Sequence, residues 1–277
     1  MTDRYAVFGN PIAHSQSPWI HARFAEATGQ ELSYERQLVA LDGFAAAVQQ
    51  FFAEGGRGLN ITVPFKEQAW LLCGSRSPAA ESAGAVNTLQ WTDGRLHGDN
   101  TDGIGLRRDI KNNLGQAIQG RRILILGAGG AVRGVLRPLL EAQPAALTIA
   151  NRTVAKAQAL TAGLTRFCPV DACGFSDCAG RQFDIVINGT SSGLQGEMPA
   201  LPEQLFVRDS SLAYDMVYGR EATPFMRWAA TQGAGAVSDG LGMLVEQAAE
   251  SFRLWRGVRP ATAEVMAGLR SRLAAPA

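Results

Sequence analysis

Lys66 and Asp102 are the residues whose types and settings most suggest chemistry. Lys66 closes the stretch Asn60-Ile61-Thr62-Val63-Pro64-Phe65-Lys66, and Asp102 lies in Asn100-Thr101-Asp102-Gly103. An ammonium can give up a proton, and a neighbouring carboxylate can stabilise its charge. Further on stands Gly127-Ala128-Gly129-Gly130-Ala131, a glycine-rich turn of the kind that cradles a dinucleotide. A proton donor beside a dinucleotide site is what carbonyl reduction needs. Each turn alone also has a structural reading. Asp102, for one, could cap a helix beginning at Gly103.

In such a turn Gly127 makes the bend and Gly129 lets the backbone approach a pyrophosphate. The next helix supplies amide donors and the positive end of its dipole. Val132 stands where the usual fingerprint has its third glycine, so the motif is a variant. A buried parallel strand, Arg122-Ile123-Leu124-Ile125-Leu126, precedes the turn, and a helix runs through Val135 and Leu139 to Gln143. The next strand, Leu147-Thr148-Ile149-Ala150, ends in Asn151-Arg152-Thr153. An NAD site usually carries an acid here for the ribose 2′-hydroxyl, and none is present. Arg152 can instead pair with a 2′-phosphate and stack on adenine, with Lys156 four residues on along the same helical face. A merely solvated basic helix start is the poorer account, because cations there oppose the dipole. The pattern predicts NADP.

Neutral hydrogen-bonding side chains fit for a polyol gather elsewhere. Ser15 and Ser17 alternate in Ser-Gln-Ser-Pro and could turn two hydroxyls toward one ligand, although Ser17 before Pro18 is also a good N-cap. Asn60 and Thr62 close a strand, and Asn87 lies in Ala83-Gly84-Ala85-Val86-Asn87-Thr88. Gln247 sits at the edge of the apolar face of a late helix, where a plain surface glutamine is equally expected.

The elements that must position these groups alternate along the chain. Strands are expected at 5–8, 32–39, 59–63, 86–91 and 95–98, the last two joined by an Asp93-Gly94 hairpin turn. Helices are expected from Ser17-Pro18 to Gly29, from an Asp42 cap to Gly55-Gly56, and from Pro64 through Lys66. Further strands fall at 183–187 and 213–217, with two last helices at about 241–256 and 260–273. Alternation of this kind predicts α/β architecture, a parallel sheet with helices on both faces.

Composition excludes several classes. With 277 residues, 46% hydrophobic and 18% charged, the chain can bury one large core or two modest ones. A net charge of +1 gives no reason to expect nucleic acid or an anionic membrane as partner. The N-terminal Met-Thr-Asp-Arg-Tyr lacks the apolar core of a signal peptide, and no apolar run approaches the ~20 residues that span a bilayer. Cys73, Cys168, Cys173 and Cys178 match neither a zinc site nor a redox pair, so metal is not expected and free thiols in a reducing cytoplasm are.

Taken in order, the motifs resemble the NADP-dependent shikimate dehydrogenase family. The resemblance spans essentially the whole chain. It rests on Gly9-Asn10-Pro11-Ile12 leading into His14-Ser15-Gln16-Ser17-Pro18, on 60–66, 83–88, 99–103, 127–131, 151–153, 188–193 and 214–218, and on Asp239-Gly240-Leu241-Gly242-Met243-Leu244-Val245-Glu246-Gln247-Ala248-Ala249. It implies that Ser15 and Ser17 bind the shikimate carboxylate and that Thr62, Asn87 and Gln247 hold its hydroxyls, with Asp102 and Tyr218 nearby. It implies Lys66 and Asp102 as the catalytic pair. It assigns the cofactor to Gly127, Ala128, Gly129, Gly130 and Ala131, with Asn151, Arg152, Thr153 and Lys156 at the adenosine phosphate and Met216 and Gly240 at the nicotinamide. Gly189, where the family commonly has alanine, and Val132 are departures that remove no reacting group, though Gly189 suggests a looser loop.

Two domains follow from this: a substrate-binding and catalytic domain of residues 1–103 plus 240–277, and a Rossmann-type NADP domain of 104–239, with the substrate expected in the cleft. The implied reaction is reversible reduction of 3-dehydroshikimate by NADPH, a step of aromatic amino-acid biosynthesis. A quinate/shikimate dehydrogenase of broader specificity and a non-catalytic NADP-sensing domain are the alternatives. Thr153, where NAD-preferring members tend to carry an acid, weighs against NAD use, and retention of both Lys66 and Asp102 weighs against a dead site. Monomer and homodimer both stay open.

Overall fold

The computed structural model describes residues 2–162 and 164–275. The elements run β1 (Asp3–Gly9), α1 (Ser17–Thr28), β2 (Leu32–Leu38), α2 (Phe44–Ala53), β3 (Gly56–Ile61), α3 (Lys66–Leu72), β4 (Ser75–Arg76), α4 (Pro78–Ala83), β5 (Thr88–Thr92), β6 (Arg95–Asp99) and α5 (Asp102–Arg108). They continue with β7 (Arg122–Leu126), α6 (Gly130–Leu140), β8 (Ala146–Ala150), α7 (Val154–Thr161), β9 (Val170–Cys173), β10 (Ile185–Asn188), β11 (Leu212–Asp215), α8 (Pro224–Thr231), β12 (Ala236–Ser238), α9 (Leu241–Arg256) and α10 (Ala263–Ala274). Two compact units result. The first comprises the residues up to Gly105 with Leu244–Leu269, and the second comprises Leu106–Met243 with the residues from Arg270 onward.

The first unit is built on a mixed six-stranded sheet of order β2-β1-β3-β5-β6-β4. β1 runs parallel to both β2 and β3, while β5 is antiparallel to β3 and to β6. The sheet is therefore not wholly parallel. The reason is the β5–β6 hairpin, whose Asp93-Gly94 turn has φ of 52° and 74°, the left-handed pair that a tight two-residue connection demands. Phe8, Phe44, Phe51, Leu59, Phe65 and Leu89 form a core with α2 and α3. α1 and α9 contribute aromatic rings to a second cluster: Tyr5 lies 4.9 Å from Trp255, His21 stacks on Tyr34 at 4.2 Å, and Phe24 meets Phe252 edge-on.

The second unit is a wholly parallel sheet of order β12-β11-β10-β7-β8-β9. β7 is its centre, and its successive side chains serve opposite faces. Ile123 and Ile125 pack with Val135, Leu139 and Ile149, whereas Leu124 and Leu126 pack with Val186, Ala213 and Phe225. The chain goes from β7 to β8 on one side and returns to β10 on the other, so strand order reverses at the β7 C-terminus. That is where doubly wound sheets bind ligands.

Several boundaries differ from expectation. Helix α3 begins at Lys66 rather than Pro64, which sits in the preceding turn after a cis peptide bond. β11 stops at Asp215, and Phe183 makes only an isolated bridge before β10. Asp42 does not cap α2, because Gly43 takes the N-cap position.

Candidate active site

Lys66 and Asp102 are the first residues of α3 and α5. Their side chains meet with Nζ 2.5 Å from Oδ2, and both are largely buried. The other Asp102 oxygen accepts from Nδ2 of Asn87 at 2.8 Å. With both oxygens engaged, Asp102 does not serve as a helix cap. Its own N–H donates instead to Oδ1 of Asn100 at 3.1 Å.

Donor and acceptor accounting fixes the orientation of Asn87. Its Oδ1 accepts from the Thr101 N–H and from the Thr88 hydroxyl, each at 2.9 Å. Both lone pairs are then used, and the amide nitrogen must face Asp102. The Thr101 hydroxyl is left to donate to Oε1 of Gln247 at 3.3 Å. Gln247 projects from α9, and one turn further Ser251 lies 2.8 Å from the Thr88 hydroxyl and accepts from Nδ2 of Asn60 at 3.0 Å. Tyr34 donates to Oδ1 of Asn60 at 2.7 Å. Asn60 and Thr88 are cross-strand partners in β3 and β5, so this polar network is anchored on the sheet.

The structure thus joins Lys66, Asp102, Asn87 and Gln247 through one buried network. Sequence reasoning missed Thr88, Ser251 and Tyr34 as parts of it. The readable signal was Ser251 itself, a polar residue four positions from Gln247 amid the buried Ala248, Ala249 and Phe252. Ser15 and Ser17 form their own pair, Oγ to Oγ at 3.2 Å. Ser17 is the first residue of α1, Gln16 holds the N-cap position without a side-chain cap bond, and the Ser17 N–H donates to Oγ of Ser15 at 3.3 Å. The capping role open to Ser17 is therefore not taken. Thr62 follows β3, its N–H bonded to the Phe8 carbonyl at 3.0 Å. A Cβ on Gly9 would lie 2.5 Å from its methyl, which is why the approach needs glycine.

In the second unit, Gly127 has φ of 104° and a Cβ there would lie 3.1 Å from the Gly189 carbonyl oxygen. Gly129 is the N-cap of α6, with open space where its Cβ would stand, and Gly130 and Ala131 begin the helix. No side chain caps α6 and its first turn holds no acid. An uncapped helix N-terminus behind an open glycine turn fits an anionic group such as a pyrophosphate. Val132 is fully buried, and its Cγ2 fills the space that a Cβ on Gly189 would need, 2.6 Å away. The two departures from the family pattern thus compensate each other. Met216 Sδ also stands 3.1 Å from where a Gly189 Cβ would be.

At the end of β8, Nδ2 of Asn151 donates to the Thr153 carbonyl at 2.9 Å. Arg152 and Lys156 are exposed beside the start of α7, which has no acid in its first turn. Neither makes an ion pair among the described residues. Met216 follows β11, and a Cβ on Gly240 would lie 2.3 Å from the Met216 carbonyl oxygen. Tyr218 lies in the same loop, half-buried, its phenol pushed up by burial. All four cysteines are free. Sγ of Cys173 lies 3.6 Å from that of Cys178, and burial pushes the Cys178 thiol up to about 12. No cluster able to hold a metal occurs among the described residues, and none of their helices is long and apolar enough to cross a membrane.

A switch-point glycine turn with two exposed cations behind it, and a lysine–aspartate pair among neutral hydrogen-bonding side chains, define the class: a nicotinamide-dependent oxidoreductase. Family models match along the chain: the shikimate dehydrogenase substrate binding domain over residues 7–89, shikimate / quinate 5-dehydrogenase over 109–195, and the shikimate 5′-dehydrogenase C-terminal domain over 240–270. A shikimate dehydrogenase (NADP(+)) of Alkalilimnicola ehrlichii is 61% identical over 270 residues, 98% of this chain and 99% of its own. An Ael1 enzyme from Pseudomonas putida superposes with a TM-score of 0.92 at 48% identity, over 99% of both chains. Shikimate 5-dehydrogenase of Thermus thermophilus, solved with NADP(H) and shikimate, gives 0.87 at 35% identity over 98% of this chain and 100% of its own. The chain belongs to the shikimate dehydrogenase family.

Proposed function

We propose that this chain is an NADPH-dependent shikimate dehydrogenase, reducing 3-dehydroshikimate reversibly to shikimate in aromatic amino-acid biosynthesis. The observation that carries the reading is the Lys66–Asp102 pair at 2.5 Å, tied through Asn87 to Gln247, in a chain of this family. NADPH, when bound, supplies the hydride that adds to the ketone carbon. As the carbonyl π pair moves onto oxygen, Lys66 gives that oxygen the proton from Nζ, and in the reverse direction it takes the proton back. Asp102 holds the ammonium in place and stabilises its charge. Asn87, Gln247 and Thr62 bind ring hydroxyls, Ser15 and Ser17 take the carboxylate, and Tyr218 is a further substrate contact. These are neutral donors and acceptors, as a polyol requires.

On the cofactor side, Gly127, Ala128, Gly129, Gly130 and Ala131 would cradle the pyrophosphate. Arg152 and Lys156, with Asn151 and Thr153, would hold the 2′-phosphate. Met216 and Gly240 would line the nicotinamide pocket. An ion pair with a neighbouring acid would blunt both cations, and neither has one among the described residues. The intact Lys66–Asp102 pair disfavours a non-catalytic NADP-sensing role. A biosynthetic reductase fed by NADPH fits the cytoplasm. Every group named belongs to one chain, so a monomer would suffice.

Steady-state rates with shikimate and quinate, each against NADP and NAD, test the reading. Turnover highest with shikimate and NADP is expected. Comparable rates with quinate would move the assignment to the broader-specificity enzyme, and no turnover in any combination would remove the catalytic reading.

A further inference from the structure

The proposed carboxylate ligands, Ser15 and Ser17, are uncharged, yet a carboxylate leaving water is most favourably met by a cation. Lys66 is not available for this, because its ammonium is paired with Asp102. A cation reaches the loop of the serine pair from the edge strand β2. Arg36 donates through Nε to the main-chain carbonyl of Ser15 at 2.8 Å. It stands two residues after Tyr34, on the same face of the strand. Arg36 makes no ion pair among the described residues.

The guanidinium has a rigid fork geometry in which Nε–H and one Nη–H point the same way. The first of these is spent on the Ser15 carbonyl. The second is therefore directed to the same neighbourhood, where the two serine hydroxyls lie 3.2 Å apart. We infer that Arg36 is a specificity-determining residue of the carboxylate subsite. It places a positive charge beside Ser15 and Ser17, so that the site favours a ring bearing a free carboxylate over a neutral counterpart. This rests on the reading of Ser15 and Ser17 as carboxylate ligands. Arg36 lies at the exposed edge of the sheet, so its effect is partly screened and falls with ionic strength.

The test compares shikimate with its methyl ester, which keeps the ring hydroxyls and loses the charge. Arg36→Ala should raise KM for shikimate by about three- to tenfold, the share of one screened charge-assisted contact. KM for the methyl ester and for NADP should not move, and kcat with shikimate should stay within about twofold. Arg36→Lys, which keeps the charge without the fork, should recover part of the preference, and added salt should erode it in the parent protein but not in Arg36→Ala. Calorimetric binding of acid and ester reads the same contrast without turnover, and circular dichroism verifies that each variant is folded. Equal loss for acid and ester would make Arg36 a mere brace for the Ser15 loop and overturn the inference. So would an unchanged acid-over-ester preference in Arg36→Ala. If the parent protein bound neither compound, the reading of the serines would fall first, and this inference with it. Binding with an Arg36-dependent preference but no turnover would sink only the catalytic reading.

Discussion

Methionine at position 66 keeps most of lysine's length and removes the transferable proton. Lys66→Met should lower kcat by about 10²–10⁴-fold, the usual share of general acid–base catalysis, with a smaller effect on shikimate affinity. Asp102→Asn should also slow turnover, and the double variant should cost less than the sum of the two because the groups touch. Gln247→Ala should act chiefly on KM. Normal turnover in Lys66→Met with weakened binding would make Lys66 a clamp and send the proton through another group. Arg152→Ala should weaken NADP far more than NAD, since only NADP carries the 2′-phosphate. A charge-assisted hydrogen bond of roughly 1.5–3 kcal/mol corresponds to ten- to over a hundredfold, and exposure of Arg152 favours the lower end. Equal loss of both cofactors would reject the phosphate role. At this scale the ionisable groups were legible because their types announce chemistry. Thr88 and Ser251 were not, because a hydroxyl reveals its task only once a strand and a helix from distant parts of the chain bring its partners together.

The long helices and the central strand β7 were readable as elements, since each buries enough side chains to show its period. β4 and β12 escaped because two and three residues cannot display an alternation, and β9, though as long as β10 and β11, escaped because Asp171 interrupts the apolar run that marks those two. The antiparallel β5–β6 pair was legible in its Asp93-Gly94 turn, but the antiparallel pairing of β5 with β3 was not, because strand direction depends on pairing, which alternation of elements does not encode. The meeting of α6 with the loop after β10 gives a test at the level of elements. Gly189→Ala should destabilise the protein by about 1–3 kcal/mol through overpacking against Val132. The penalty should shrink when Val132→Ala is added, with a coupling of roughly 0.5–3 kcal/mol by urea unfolding. Strict additivity would show that the two positions do not share space.

For the molecule as a whole, pH should act on stability through His21, which is fully buried and pushed down to about 3 by desolvation. A histidine with a depressed folded value contributes in full above its unfolded value of 6.5, and that contribution drains away as pH falls toward 3. The slope rises toward about 1.4 kcal/mol per pH unit as pH falls below 6.5, where the unfolded imidazole is half protonated, so unfolding in urea at pH 6.5 and 4.5 should differ by roughly 2.3 kcal/mol from this group alone. His21→Phe, which keeps a ring to stack on Tyr34, should remove that difference, and an unchanged slope would assign it elsewhere. The chain order of the two units has a consequence for biogenesis. The first unit takes its last helices from the far end of the chain, beyond the whole contiguous stretch Leu106–Met243. A ribosome adding roughly 5–20 residues per second needs several seconds to tens of seconds to cross that stretch. Throughout that interval Asn60 and Thr88 lack Ser251, and Tyr5 and Phe24 lack Trp255 and Phe252. The portion synthesised first thus waits for its last helices until nearly all of the second unit has been made, and a nascent chain halted before α9 would carry both Lys66 and Asp102 on an incomplete scaffold with a bare aromatic face, a natural client for a holding chaperone.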